Sequence, residues 1–205
     1  MIADIAVVVL AFLLGSIPVG LIVAKLGYRT DIRKEGSGNI GAANAARTLG
    51  RTAGVLVLVL DALKGFIPTM VAQYIGGLPV ALVAGFAAIV GHCYSPWLQM
   101  RGGKGVATEL GVTFALAWQA ALIFMGVWAL AVLATGYASV GSLLATLSTV
   151  ATLWFFLDAR AALYAVCVFA LIAWRHRENI TRLVAGRENR LIGPGRSASN
   201  PGGLP

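Results

Sequence analysis

Between Ile5 and Ala24 the chain carries no charged side chain, and Gly15-Ser16-Ile17-Pro18 is the main interruption of an otherwise apolar run. A run of that length crosses the ~30 Å hydrocarbon core as a helix, and lipid admits only structures that satisfy their own backbone hydrogen bonds. Similar runs follow at Thr52 to Tyr74, Val80 to Val90, Val106 to Ala134, Leu143 to Leu157 and Ala161 to Trp174. They leave no room for a separate soluble domain in 205 residues, and only 12% of the chain is charged, against about 25% in soluble domains. The fold class that follows is all-α, a polytopic membrane protein. Residues 1–192 form a single transmembrane domain, and residues 193–205, rich in Gly, Pro, Ser and Asn, form a disordered cytoplasmic tail. The first run lacks a basic leader and exceeds signal-peptide length, so it is a retained span with a kink at Pro18.

Basic residues set the orientation. Lys25, Arg29, Arg33, Lys34, Arg47 and Arg51 crowd the segment after the first span, and Arg101 and Lys104 the segment after the third. Both segments are therefore inside and the N-terminus is outside. The basic stretch from Arg175 to Arg190 is also inside, as a short amphipathic helix along the interface. An outside start and an inside end require an odd number of crossings. Val106 to Ala134 must then supply two short spans broken near Trp118-Gln119, each of about 14 residues and about 21 Å, shorter than the hydrocarbon core is thick. The result is seven transmembrane helices, two of them short, with the C-terminus cytoplasmic. All but Lys64 and Arg160 of the 16 basic residues then lie inside, and Arg160 sits beside Asp158 in an outer turn.

The net charge of +8 is dispersed among loops beside apolar spans, which points to anionic lipid headgroups and anionic substrates rather than nucleic acid. Cys93 and Cys167 are isolated and read as small apolar fillers without a disulfide. No internal repeat stands out.

Four polar segments share the cytoplasmic side. In the first, Gly36, Gly38 and Gly41 let the backbone turn tightly, Ser37, Asn39 and Asn44 add short polar groups, and Arg47 offers a bidentate fork beyond an Ala-rich helix start. A small-residue loop capping a helix, with Arg47 solvated, is the alternative reading. In the second, Gly102, Gly103 and Gly105 surround Lys104 as another candidate anion nest; Gly105 in place of Ser or Thr after the lysine excludes a Walker loop. Ser139 and Ser142 mark the third segment, and His176, Arg177 and Asn179 the fourth. Two cradles, each with its own cation, suit two phosphates. The pocket lacks the clustered carboxylates, histidines or cysteines that hold a metal, so no metal or other cofactor is expected. Glu109, one helical turn past Lys104, reads as a salt-bridge or interface residue rather than a general base. Asp61 and Lys64, three positions apart within the second run, form either a self-satisfied structural pair or a buttress beneath the polar loops.

Several stretches together carry a resemblance. They are Ser37-Gly38-Asn39-Ile40-Gly41-Ala42-Ala43-Asn44 with Arg47, Asp61-Ala62-Leu63-Lys64-Gly65, Gly91-His92 through Gly102-Gly103-Lys104-Gly105-Val106-Ala107-Thr108, Ser139-Val140-Gly141-Ser142, and His176-Arg177-Glu178-Asn179-Ile180 with Arg182-Leu183. From about Gly15 to Arg190 the chain resembles the bacterial acyl-phosphate-dependent glycerol-3-phosphate acyltransferases, the PlsY family. The resemblance implies a multi-pass enzyme of the inner (plasma) membrane with its active site on the cytoplasmic side. Such an enzyme moves a fatty acyl group from acyl phosphate to the 1-hydroxyl of sn-glycerol 3-phosphate, making lysophosphatidate and phosphate. Carried over by position, Ser37, Asn44, Arg47, Lys104, Ser142, His176 and Asn179 form the polar working set, with Gly38, Asn39, Gly41, Gly102, Gly103, Gly105 and Ser139 completing the binding walls. Where the family commonly has Thr this chain has Ala43, which removes a hydroxyl there.

Attack on an acyl carbon builds an oxyanion, and phosphate is already a good leaving group, so electrostatic stabilisation and positioning can suffice. Lys104 or Arg47 is the candidate to neutralise the leaving phosphate, and Ser142 and His176 complete the catalytic candidates. The hydroxyl proton goes to a substrate phosphate oxygen or to His176, which is either a general base or a hydrogen-bonding prop. An acyl-serine route lacks a Gly-x-Ser-x-Gly elbow, and the His-x-x-x-x-Asp signature is absent, because Trp97 and Thr181 stand at that offset from His92 and His176. A transporter or flippase for an anionic small molecule remains the competing class; polar motifs on one side without a repeat argue against it.

Overall fold

The computed structural model describes residues 1–192, and among them every regular element is a helix. The disordered tail expected at residues 193–205 lies outside the described residues. The helices are α1 (Ile2–Ser16), α2 (Val19–Tyr28), α3 (Ala42–Thr48), α4 (Arg51–Cys93), α5 (Val106–Leu116), α6 (Trp118–Thr135), α7 (Ala138–Phe156), α8 (Ala159–Arg175) and α9 (Arg177–Val184). The first apolar run is broken where Pro18 requires it. Ile17 takes an extended ψ of 122°, as a residue before proline prefers, and α2 starts after the ring.

α4 is two antiparallel arms joined at Gly77, whose φ of 67° and ψ of −164° leave the helix. Only glycine enters that region without strain. Asp61 on the first arm and His92 on the second meet at 3.6 Å, whereas a continuous helix would separate them by ~45 Å. Pro79 follows in the first turn of the second arm, where a missing N–H costs least. The reversal falls at the Gly76-Gly77-Leu78-Pro79 turn expected from the sequence.

Small residues set the packing. Ala11, Ala72, Ala81, Ala84, Ala88, Ala161 and Ala165 are fully buried, so helix backbones approach closely. A methyl group on Gly111 of α5 would stand 1.9 Å from the carbonyl of Ala62, and one on Gly65 would stand 2.3 Å from that of Thr108. α5 is thus wedged against the first arm of α4, and its Glu109 reaches α7 on another side. Enclosure by other helices explains how an 11-residue helix persists without lipid-spanning length.

The break between α5 and α6 lies at Ala117, whose backbone is extended, one residue before the expected position. The two pieces are unequal, 11 and 18 residues. By length and apolarity the candidate spans among the described residues are Ile2–Tyr28, Arg51–Leu98, Trp118–Thr135 and Ala138–Phe156, with α8 and α9, bent by 60°, a fifth when taken as one span. That tally takes the two arms of α4 as one span and leaves out the 11-residue α5.

Three expectations are corrected. α7 begins at Ala138, so Ser139 and Ser142 sit in its first turns rather than in a loop. The terminal amphipathic helix ends at Val184 rather than near Arg190. Among the described residues Glu109 makes no salt bridge; it accepts from the Thr146 hydroxyl at 2.6 Å and the Thr149 hydroxyl at 3.4 Å, buried between α5 and α7. Arg160 pairs with Asp158 at 2.6 Å, and Asp158 also caps α8 through the amides of Arg160 and Ala161.

Candidate active site

The first polar segment is organised by one buried side chain. The Asn44 amide group donates to the carbonyls of Ile32, Glu35 and Asn39 at 3.3, 3.0 and 2.9 Å, and its Oδ1 accepts from the amide of Ser37 at 2.9 Å. The loop needs this staple because it has no ladder of its own. Asn39 adds a short turn, its Oδ1 accepting from the Gly41 amide. Arg47, on α3, then reaches back to the Ser37 hydroxyl at 3.4 Å.

The other three segments meet at Lys104. Its ammonium donates to Oδ1 of Asn179, whose amide group donates in turn to Glu188. Glu188 also accepts from the Ser139 hydroxyl at 3.0 Å and from Nε of Arg182 at 2.7 Å. The chain reaches this point because residues after α9 fold back over the α6–α7 turn, with the amide of Leu191 donating to the Gly136 carbonyl and Arg190 lying over the Tyr137 ring. Ser142 turns its hydroxyl onto the Ala138 carbonyl at 2.8 Å. His176 caps α8, and its Nδ1 donates to the Ile172 carbonyl at 2.8 Å. A carbonyl only accepts, so this contact fixes the proton on Nδ1 and leaves Nε2 as an acceptor.

Burial dominates the electrostatics. It lowers the Lys104 ammonium to about 8, with Arg182 adding to the effect and Glu188 opposing it. Burial likewise lowers His176 to about 4, helped by Lys104, so the imidazole is neutral at pH 7. Glu188 is raised by its partial burial, yet the bonds from Asn179, Arg182 and Ser139 outweigh this and hold it below the ordinary carboxylate range.

These groups enclose one end of a cavity of about 370 Å³. Ser37, Asn39, Gly41, Asn44, Arg47, Lys104, Gly105, Ser139, Ser142, His176 and Asn179 all line it. Its floor is Asp61 and His92, both buried. Asp61 pairs with Lys64 at 2.8 Å, and Lys64 donates also to the Ile17 carbonyl at the α1–α2 break, so the pair joins three helical segments beneath the polar loops. Apart from Glu188 and Asn189 the rest of the wall is apolar, with Leu58, Leu110, Phe124, Met125, Trp128 and Ala129. Leu58 and Met125 on this apolar wall keep 39% and 46% of their surface exposed, so the cavity joins a charged end to an apolar one that is not sealed.

The family model of glycerol-3-phosphate acyltransferase matches residues 5–186. The chain belongs to the glycerol-3-phosphate acyltransferase family. Acyltransferases of that name from Bradyrhizobium diazoefficiens and Rhodopseudomonas palustris are each 43% identical to it, over 89% and 91% of this chain and 92% and 95% of theirs. A crystal structure of PlsY, an integral membrane glycerol 3-phosphate acyltransferase in its glycerol 3-phosphate form, matches with a TM-score of 0.89 and 43% identity over 93% of this chain and 96% of that one. The lysophosphatidic acid form of PlsY matches at 0.86 and 42%, over 92% and 95%.

Within this glycerol-3-phosphate acyltransferase family member, three of the expected site residues stay off the cavity wall. The Gly38 amide donates to the Glu35 carbonyl. The amides of Gly102 and Gly103 donate to the carbonyls of Cys93 and His92 at 3.1 and 3.0 Å, so that stretch is a backbone crossing and not an open anion nest. Of its residues, Lys104 and Gly105 reach the cavity. Sequence reasoning passed over Glu188, Asn189, His92 and the aromatic wall at Phe124 and Trp128. Glu188 was visible only as one acidic residue within a basic stretch, and His92 only beside Gly91 and as a histidine whose His-x-x-x-x-Asp offset is filled by Trp97.

Proposed function

We propose that this chain transfers a fatty acyl group from acyl phosphate to the 1-hydroxyl of sn-glycerol 3-phosphate, releasing lysophosphatidate and inorganic phosphate. The observation that carries the reading is the two-part cavity. Its cationic end suits phosphate groups, and its apolar wall, where Leu58 and Met125 keep part of their surface exposed, suits an acyl tail whose head enters from lipid. Ser37, Asn39, Gly41 and Arg47 hold one phosphate, and Lys104 with Asn179 holds the other. Asn44 serves by shaping the loop. The substrate hydroxyl oxygen attacks the acyl carbon, the carbon–oxygen bond to phosphate breaks, and Lys104 neutralises the departing charge. A phosphate oxygen of the donor takes the hydroxyl proton. His176, neutral with Nε2 accepting, orients that hydroxyl together with Ser142.

The same reading has seven crossings, with the N-terminus outside and the site on the cytoplasmic face of the inner membrane. Gly105 at the start of α5 and Ser139 at the start of α7 line one cavity, so α5 and α6 together run away from that end and return. That supports an even contribution from this stretch, and the basic residues on the polar segments favour the inside.

The test is product formation by the purified protein in detergent, given glycerol 3-phosphate with long-chain acyl phosphate and, in parallel, with acyl-CoA. Lysophosphatidate and phosphate from acyl phosphate alone are expected, and Lys104→Ala is expected to abolish them. Transfer from acyl-CoA alone replaces the donor. No transfer by folded protein from either donor overturns the reading and directs attention to transport across vesicles.

A further inference from the structure

Arg175, the last residue of α8, does not line the cavity, yet it is bonded to the backbone beside Lys104. Its Nη2 donates to the Gly102 carbonyl at 2.9 Å and its Nε to the Gly103 carbonyl at 3.1 Å. The guanidinium lies 5.2 Å from the ring centre of Tyr94, which limits its swing. On the opposite side, the amides of the same two glycines donate to Cys93 and His92 at the end of α4. Each of the two residues before Lys104 is therefore held through both its N–H and its C=O, by two different helices. A methyl group on Gly103 would stand 2.1 Å from Nε2 of His92, so the imidazole closes off any lateral shift.

The position of Arg175 in the sequence matters as much. The next residue is His176, and Asn179, the partner of the Lys104 ammonium, follows within the first turn of α9. The α8–α9 junction thus grips this loop twice, through its backbone by Arg175 and through the Lys104 side chain by Asn179. We infer that Arg175 is a positioning residue, whose fork fixes the Gly102–Gly103 backbone and so sets where the Lys104 ammonium stands relative to His176. A lysine at this position keeps the charge but lacks the rigid planar fork that holds two successive carbonyls in fixed geometry.

That Lys104 needs exact placing rests on the acyl-transfer reading; the clamp itself is read without substrate. The experiment compares wild type, Arg175→Lys and Arg175→Ala in detergent, by hydrogen exchange of the substrate-free proteins and by steady-state kinetics at several pH values. Both variants are expected to exchange faster across residues 101–105, with wild-type exchange in α1, α6 and α7. Arg175→Ala is expected to lose about 100-fold in kcat, the scale of a displacement near 1 Å, with KM for glycerol 3-phosphate little changed and Arg175→Lys in between. Its alkaline limb is expected to move to higher pH as Lys104 becomes hydrated among Asn179, Glu188, Glu178, Arg182, Arg47 and His176. Wild-type exchange across residues 101–105 in Arg175→Ala overturns the clamp. So does a loss of kcat that comes with faster exchange throughout the bundle and an unmoved alkaline limb, the mark of a merely structural residue. A wild-type protein without acyl transfer removes the reading of the site, and the exchange comparison then decides the clamp alone.

Discussion

Lys104 donates to Oδ1 of Asn179 across 75 positions of sequence, and this contact turns the other half of the same amide toward Glu188. Asn179 therefore separates a cation from a carboxylate while bonding both. Asn179→Asp keeps an acceptor for Lys104 but sets two carboxylates against each other. We expect turnover to fall at least tenfold, ~1.4 kcal/mol of transition-state stabilisation, with the residues after α9 released. Initial rates together with proteolysis after Val184 check this, and wild-type values in both would remove the bridging role.

The pH profile follows from two lowered groups. Lys104 is charged below about 8, so a rate that needs its charge declines as pH rises past that value instead of holding beyond 10 as for an ordinary lysine. His176 is neutral above about 4 and contributes no limb between pH 5 and 7. His176→Gln is then expected to lower the rate without altering the shape of the profile. An acid limb near pH 6 that vanishes in this variant makes the histidine the base.

Asn44 holds three carbonyls and one amide, all within a segment of irregular backbone. Asn44→Ala leaves those groups to water or to nothing, a loss on the order of 3 kcal/mol. Asn44→Asp is expected to be no better, since it places a carboxylate oxygen against the three carbonyls. Thermal midpoints in detergent measure both, and a midpoint within a degree of wild type for either variant contradicts the staple.

Glu109 lies outside the cavity and serves α5–α7 packing through Thr146 and Thr149. Glu109→Gln keeps the shape and the acceptor, so activity is expected within about twofold of wild type. Glu109→Ala opens a void beside two hydroxyls and is expected to destabilise the protein by about 2–3 kcal/mol. A Gln variant that folds but does not turn over assigns the carboxylate a chemical part.

Two of the backbone breaks were legible because each has a local cause. Pro18 ends α1 and the glycines before Pro79 reverse α4, while parity of the basic loops required a break inside Val106 to Ala134. The Asp61–Lys64 pair was legible as helical neighbours, but its third partner His92 depends on where the hairpin closes. Glycine pattern misled at Gly102 and Gly103, because a tight turn around an anion and a tight crossing under another strand of backbone demand the same small residues. Glu188 was hidden for a different reason. Its partners are Ser139 of α7 and Asn179 and Arg182 of α9, and no spacing along the chain encodes a contact that exists only after those pieces are assembled.

The fold-back after α9 also fixes an order of manufacture. Among the described residues Glu188 and Asn189 are the last of the wall to leave the ribosome, following every helix that lines the cavity. The bundle can be threaded into the bilayer while its polar end still stands open to water. A chain ending at Val184 would carry all the hydrophobic helices and lack the carboxylate that ties Ser139, Asn179 and Arg182 together, so closing this site asks more of the chain than building its bundle does.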